Sequence, residues 1–377
     1  MIEFHSTEID KNTIKYINDV VKRNSFNDQG KYYQLCKEFL LNYTKAKAIL
    51  LTHSATTALE IAHQILTNKN DKVVLPSFTF SSTANSVLKS GAKIDWLEIS
   101  ENDLCVDLHN VKNLKLIQNS KVVTPVHYGS SAANMNLLLQ LTKKSKTEII
   151  EDAAQSLGVF IGKKHVGTFG KFGIISFHNT KFIHAGFGGA LLINDLNYYD
   201  EAVEIYNRGT NRHLFQKGLV NKYNWTKLGT SGGNSDLNFA VLFSQLEVLD
   251  EIIEKRKKIF QYYNESFTKL SNHNVGYQSL NTISKSNYSS YYLLVDNKKT
   301  RDNLINFLKQ YNIPSQFHYI PLHSSPMGQQ YTTNRKLSLT DKASETLIRL
   351  PIHTKLTKSQ QKYIVNKVFE YFKLNSI

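Results

Sequence analysis

Between residues 46 and 195, short apolar runs alternate with segments of helical period, and this alternation restricts the fold more than any other feature of the chain. The runs are AILLT (48–52), KVVLP (72–76), KIDWLEI (93–99), KVVTPVHY (121–128) and TEIIED (147–152). Each is too short for a helix. The segments between them, such as SATTALEIAHQIL and SSTANSVLKSG, carry apolar residues at three- and four-residue steps. Parallel strands need a crossover long enough to hold a helix, so the repetition predicts an α/β fold, a largely parallel sheet with helices on both faces. At GVFIGKKHVGTFG (158–170) glycines at hairpin spacing interrupt the rhythm, and FGIISF and GGALLIND supply two further strands.

From about residue 238 the pattern changes. DLNFAVLFSQLEVLDEIIEKRKKIFQYYNESFTKL reads as one long helix, followed by a strand (YYLLVD), a helix (TRDNLINFLKQY), a strand (SQFHYI) and two closing helices. The expectation is a large domain over 1–237 and a smaller α+β domain over 238–377, joined by the long helix. With 377 residues and 41% apolar side chains, a sizeable core forms without staples. Two cysteines, Cys36 and Cys105, make neither a disulfide framework nor a cysteine zinc site, which suits a reducing cytoplasm. The polar start MIEFHSTEIDKNT does not read as a secretory signal, and no apolar run approaches the ~20 residues of a membrane helix. A soluble, cytoplasmic protein without membrane insertion is therefore expected. The net charge of +15 attracts anions, but the basic residues are thinly spread, and EKRKK (254–258) reads as a solvated helix face. A small anion such as a nucleotide or phosphate ester fits this distribution better than nucleic acid.

Open parallel sheets bind ligands beyond the carboxyl ends of their strands, where four motifs stand in chain order. After AILLT comes HSATTALE, in which Ser54, Ala55 and Thr56 either cradle a phosphate at a helix N-terminus or merely cap the helix. After KVVLP comes SFTF, offering Phe78 or Phe80 as a plate for a ring, or as core. After TEII comes EDAAQS, where Asp152 can pair with a cationic ring nitrogen or cap backbone, and Gln155 can donate to a nearby oxygen. Lys181, in SFHNTKFIHAGFGGA, follows a buried strand; a desolvated lysine amine has a lowered pKa and attacks carbonyls. Phosphate cradle, carboxylate, stacking plate and Schiff-base lysine together point to pyridoxal 5'-phosphate. His127, His178, His184 and His323 fall in these regions without metal-ligand spacing, so no metal is expected.

LPSFTFSSTANSVLKSGAKI, VHYG, EDAAQSLG, GTFGKFGIISFHNTK and FHYIPLH closely resemble the DegT/DnrJ/EryC1/StrS sugar aminotransferases, over nearly the whole chain. The resemblance implies an aspartate-aminotransferase-like fold, pyridoxal phosphate fold type I, and a homodimer with active sites shared across its interface. It also implies L-glutamate as amino donor and a nucleotide-diphosphate keto-sugar as acceptor. GTNRHLFQKGLVNKYNWTKLGTS and FHYIPLH are similar to members that aminate TDP-4-keto-6-deoxyglucose at C4 for surface polysaccharides such as enterobacterial common antigen. Amination at C3 and a non-catalytic regulatory or scaffold homologue are the alternatives; the family's dehydratases, with histidine in place of the lysine, disagree with Lys181. Residue by residue, the resemblance implies Lys181 as Schiff base and proton carrier, Asp152 at the ring nitrogen and Gln155 by the ring hydroxyl. It places Ala55, Thr56 and Ser176 at the phosphate, Phe80 on the ring face and Ser231 at the neighbouring subunit's phosphate. His323 and Tyr319 would lie near the sugar, a packed histidine being the other reading of His323. Three positions depart from many relatives: Phe182 for Asn, Phe187 for an acid between glycines, and a glycine-rich TSGGN at 230–234.

Overall fold

In a computed structural model, which describes residues 2–6, 11–331 and 336–374, the strand and helix alternation becomes a seven-stranded sheet. Its strands are β1 (Ala48–Thr52), β2 (Lys72–Pro76), β3 (Lys93–Leu97), β4 (Val122–Val123), β5 (Glu148–Asp152), β6 (Phe172–Ser176) and β7 (Gly189–Ile193). They lie in the order β1-β7-β6-β5-β4-β2-β3, and every pairing is parallel except the two made by β7. All five residues of β1, β6 and β7 are buried, which is why these strands read as continuous apolar runs.

Helices α1 (Lys11–Lys22), α2 (Lys31–Thr44), α3 (Ala55–Leu66) and α4 (Ser81–Lys89) precede or flank these strands. One core packs α3 against Leu75, Ile150, Ile174 and Leu191 of the sheet, and a second packs α2 against Ile49, Leu51, Ile175 and Leu192 on the opposite face. The alternation of side chains along each strand sends neighbouring residues into different cores.

The expected long helix is two helices, α5 (Asp236–Leu246) and α6 (Leu249–Phe267), broken at Glu247 and Val248. Beyond it, β8 (Gly276–Tyr277), β9 (Tyr291–Leu294) and β10 (Leu347–Leu350) form an antiparallel sheet over a separate core that includes Phe260, Tyr263, Leu304 and Val368. Strand β10 lies where only helices were expected. Conversely, residues 315–320 form no strand: Gln316 alone bridges to Arg349. KVVTPVHY is also shorter than expected, because Pro125 has no N–H to continue the ladder, although Val126 bridges to Asp152. Among the described residues no helix is long and apolar enough to cross a membrane.

Candidate active site

Because β7 alone runs against the rest, the carboxyl ends of β1, β2, β5 and β6 and the amino end of β7 meet at one edge of the sheet. There a cavity of about 470 Å³ opens, lined by Ala55, Thr56 and Ser176, by Asp152 and Gln155, and by Phe80, Lys181 and Tyr319. Ser231 and His323 are not among its lining residues.

Ser54 caps α3: its Oγ accepts from Thr57 N at 3.1 Å. The capping reading is thus realised, and it leaves the first-turn amides of Ala55 and Thr56, which no helix can satisfy internally, on cavity-lining residues. Thr56 Oγ1 is bonded to Ser82 Oγ at 2.7 Å, tying the starts of α3 and α4 together. Gly189 is required here: a Cβ on it would collide with Ala55 N and Ser54 C. The close approach of β7 to the start of α3 is therefore written into the glycines that follow Lys181.

Asp152 ends β5 almost fully buried, its Oδ2 accepting from Thr83 Oγ1 at 2.7 Å and its Oδ1 from Ala154 N at 3.2 Å. Its neighbour Glu151 points to the other face and is wholly structural. It accepts from Gly167 N at 2.7 Å, Phe169 N at 2.6 Å and Gly170 N at 2.7 Å, and pairs with His127 Nε2 at 3.1 Å. His127 accepts from Ala133 N at Nδ1 (3.1 Å), so it donates to Glu151 through Nε2. Gln155 donates to the Tyr319 hydroxyl at 3.0 Å and accepts from Gly129 N at 3.4 Å. Of the two phenylalanines in SFTF, Phe78 is core, edge-on to Tyr128 and Tyr319, while Phe80 is 61% exposed and lines the cavity.

Lys181 sits in a turn closed by its own N–H to His178 O at 2.8 Å, with Phe177 N to Gly188 O at 2.8 Å beneath it. Burial lowers its amine to about pKa 8; the Asp152 carboxylate opposes that shift and the Arg349 charge adds to it. Phe182 packs under the Arg256 guanidinium, 5.4 Å from the ring centre. Phe187 is 63% exposed at the cavity, with His178 edge-on at 5.3 Å.

Among the lining residues that the sequence did not single out are His5, Gln316, His318 and Arg349. Burial, then the Arg349 charge, pushes His5 down to about pKa 3 and lowers His318 in the same way. His318 falls in the FHYIPLH motif, and Arg349 left a trace as a lone charge inside the apolar run TLIRLPI. His323 is packed away from the cavity, its Nδ1 2.7 Å from Ser77 Oγ and its Nε2 3.3 Å from Asp341. Ser231 is exposed in a bridge with Asn207, outside this chain's own cavity. Among the described residues no cluster of three or more His, Cys, Asp or Glu is placed to hold a metal ion.

The profile of the DegT/DnrJ/EryC1/StrS aminotransferase family matches residues 7–369. A GDP-perosamine synthase of Vibrio cholerae is 27% identical over 99% of this chain and 99% of its own length. A UDP-4-amino-4,6-dideoxy-N-acetyl-beta-L-altrosamine transaminase of Campylobacter jejuni is 27% identical over 98% of this chain and 97% of its own. Among solved structures, the aminotransferase TlmJ of Streptoalloteichus hindustanus covers 100% of both chains with a TM-score of 0.91 at 21% identity, a likeness of fold.

Proposed function

We propose that this chain, which belongs to the DegT/DnrJ/EryC1/StrS aminotransferase family, moves the amino group of L-glutamate to C4 of a nucleotide-linked 4-keto-6-deoxyhexose. The family makes it a pyridoxal-phosphate-dependent aminotransferase. The substrate we propose is TDP-4-keto-6-deoxy-D-glucose and the product TDP-4-amino-4,6-dideoxy-D-galactose, for a surface polysaccharide. The observation that carries the reading is a buried lysine amine of lowered pKa sharing one cavity with a fixed carboxylate and a helix N-terminus.

These residues fit the cofactor. When bound, pyridoxal phosphate supplies an electron sink for the bonds to the reacting carbon. The first-turn amides of Ala55 and Thr56, with the Ser176 hydroxyl, would hold its phosphate. Asp152 would keep the ring nitrogen protonated, and Thr83 and Ala154 fix the carboxylate for that role. Gln155, already oriented by Tyr319 and Gly129, would lie beside the ring hydroxyl, and Phe80 would cover a ring face. Lys181 Nζ would take the proton from the donor α-carbon and return it to C4 of the sugar, a task suited to an amine with a pKa of about 8. Ser231 would act in trans, at the phosphate of the second subunit in a homodimer.

The C4 assignment is supported by the name of the Campylobacter relative, which specifies a 4-amino-4,6-dideoxy sugar. The test is to incubate the protein with glutamate and 4-keto-6-deoxyhexoses carried on TDP, GDP and UDP, and with TDP-3-keto isomers. NMR then locates the new amine. Amination of the TDP-4-keto sugar is expected, whereas amination only at C3 would refute the position and a GDP or UDP preference would refute the nucleotide. Lys181→Ala should lose both the visible absorbance of the bound cofactor and turnover; undiminished turnover would end the reading.

A further inference from the structure

Lysines that are scattered along the sequence are gathered by the fold at the end of the large sheet opposite the cavity. There the amino ends of the parallel strands lie side by side, and a lysine stands at or just before five of them: Lys47 at β1, Lys171 at β6, Lys121 at β4, Lys72 at β2 and Lys93 at β3. Backbone hydrogen bonds keep this row in register, with Lys121 N to Lys72 O at 2.8 Å, Glu148 N to Lys121 O at 2.9 Å and Lys171 N to Ile149 O at 2.9 Å. With strands ~4.8 Å apart, the seven-stranded row spans roughly 30 Å. Between β1 and β5 it opens into a groove of about 1250 Å³. The helix Met135–Ser145 and the turn after it bring Lys143 and Lys146 to this groove, the residue after α2 brings Lys45, and the hairpin at 160–165 brings Lys163 and Lys164.

Part of this charge has a structural purpose. Lys45 and Lys146 are left-handed C-caps and stand at the negative ends of α2 and the helix Met135–Ser145. A helix end carries only about half a charge, so caps do not account for these ten lysines. Three carboxylates, Asp71, Glu148 and Asp195, stand among them. Of the ten, only Lys171 makes an ion pair with a described residue, Asp195 at 2.7 Å, and apart from Lys171 all are exposed. A row of like charges held together with so few counter-charges attracts an anionic partner.

The residue type selects among anions. Sites for single-stranded nucleic acid add guanidinium forks and aromatic plates to their positive charge. No arginine lines the groove or begins these strands, and Phe169, the one aromatic residue among the described groove residues, lies beneath Lys164 Nζ, 4.5 Å from the ring centre. Ammonium groups on flexible stems suit a broad, laterally mobile layer of charge, which is what anionic lipid head groups present. The exposed large apolar side chains on these segments are Leu139 and Leu196, too few for an inserted face.

We propose that the amino end of the large sheet docks, by charge and without insertion, on a membrane surface rich in anionic lipid. Docking in this way leaves the cavity, at the opposite end of the strands, turned to the aqueous side. The inference stands apart from the aminotransferase reading.

The test is sedimentation of the whole chain, loaded with pyridoxal phosphate, with vesicles of phosphatidylcholine alone or mixed with phosphatidylglycerol. Wild type should bind the mixed vesicles at physiological salt, ignore phosphatidylcholine, and be released as salt is raised. Each lysine near such a surface strengthens binding roughly fivefold, so K72Q/K93Q/K121Q should weaken it roughly a hundredfold. K257Q/K258Q/K269Q, an equal loss of charge in the C-terminal part of the chain, should weaken it less than about threefold. Both triples should keep the Tm and the visible absorbance of the bound cofactor. K47Q/K143Q/K163Q, in the groove, should repeat the hundredfold loss and decides the matter if the first triple does not fold. Wild type that ignores phosphatidylglycerol, or edge and control triples that lose equally, would overturn the proposal. So would a random oligonucleotide or polyglutamate that binds wild type at physiological salt where the mixed vesicles do not, which would give the edge to nucleic acid or to an acidic protein.

Discussion

The lowered pKa of Lys181 makes a direct prediction about the cofactor-free protein. At pH 7.5 an amine of pKa about 8 is roughly one-quarter unprotonated, against roughly 0.1% at the usual lysine value of 10.5, a ratio of roughly 200. Lys181 should therefore react with an amine-selective reagent such as trinitrobenzenesulfonate far ahead of exposed lysines, with a midpoint near 8. Peptide mass spectrometry across a pH series reads that midpoint residue by residue. The signs of two perturbations follow from the causes of the shift. Asp152→Asn removes the carboxylate that favours the charged amine, so the midpoint should fall below 8. Arg349→Met removes a charge that disfavours it, so the midpoint should rise. A Lys181 midpoint in the ordinary lysine range, or the two substitutions moving it in the opposite directions, would refute the account of burial opposed by Asp152.

Two further substitutions test parts of the scaffold. Glu151→Gln replaces a fully buried carboxylate that accepts three backbone N–H groups and pairs with His127, so it should destabilise the fold by about 3 kcal/mol, read as a large drop in Tm; an unchanged Tm would show that the loop at 167–170 does not depend on it. Phe182→Asn removes the ring beneath Arg256, and should cost about 0.5–2 kcal/mol while the Lys181 turn still takes up cofactor; calorimetry and visible absorbance separate the two effects.

The large sheet was legible because its strands are buried on both faces, so β1, β6 and β7 stand out as uninterrupted apolar runs. The C-terminal half was less so. Strand β10 follows the helix Ser338–Thr346 with no intervening turn residue, so TLIRLPI carries no boundary signal. The break between α5 and α6 was hidden in the same way: Leu246 and Leu249 are three apart, so the apolar stripe continues across a backbone that does not. The site divides along similar lines. Residues at or just beyond strand ends, Ala55, Phe80, Asp152, Ser176 and Lys181, could be read from their motifs, because strand direction brings them together. His5, Gln316, His318 and Arg349 reach the same cavity from the two ends of the chain, and no spacing records such a meeting.

Of the three positions singled out above, Phe187 and the 230–234 segment are connected in space, while Phe182 reaches the cavity by a separate route. Phe182 supports Arg256, whose guanidinium holds Ser289 O, and Ser289 lines the cavity. Phe187 accepts a hydrogen bond at its carbonyl from Asn234 Nδ2 at 2.6 Å, so the second departure and the glycine-rich segment 230–234 form one unit. That segment in turn receives His53 N at Gly232 O, 2.9 Å, immediately before the capped start of α3. Hydrogen bonds thus join the Phe187 backbone, the 230–234 segment and the residues just before α3, and Phe187 presents an exposed aromatic ring at the cavity. An apolar ring of this kind discriminates by shape. One methylene in an apolar contact is worth only about 1–3 kcal/mol, whereas a polar group left unpaired rejects the wrong ligand far more strongly. Selectivity exerted through Phe187 would therefore be graded among related keto-sugars, and strict choice between them would fall to the polar groups deeper in the cavity.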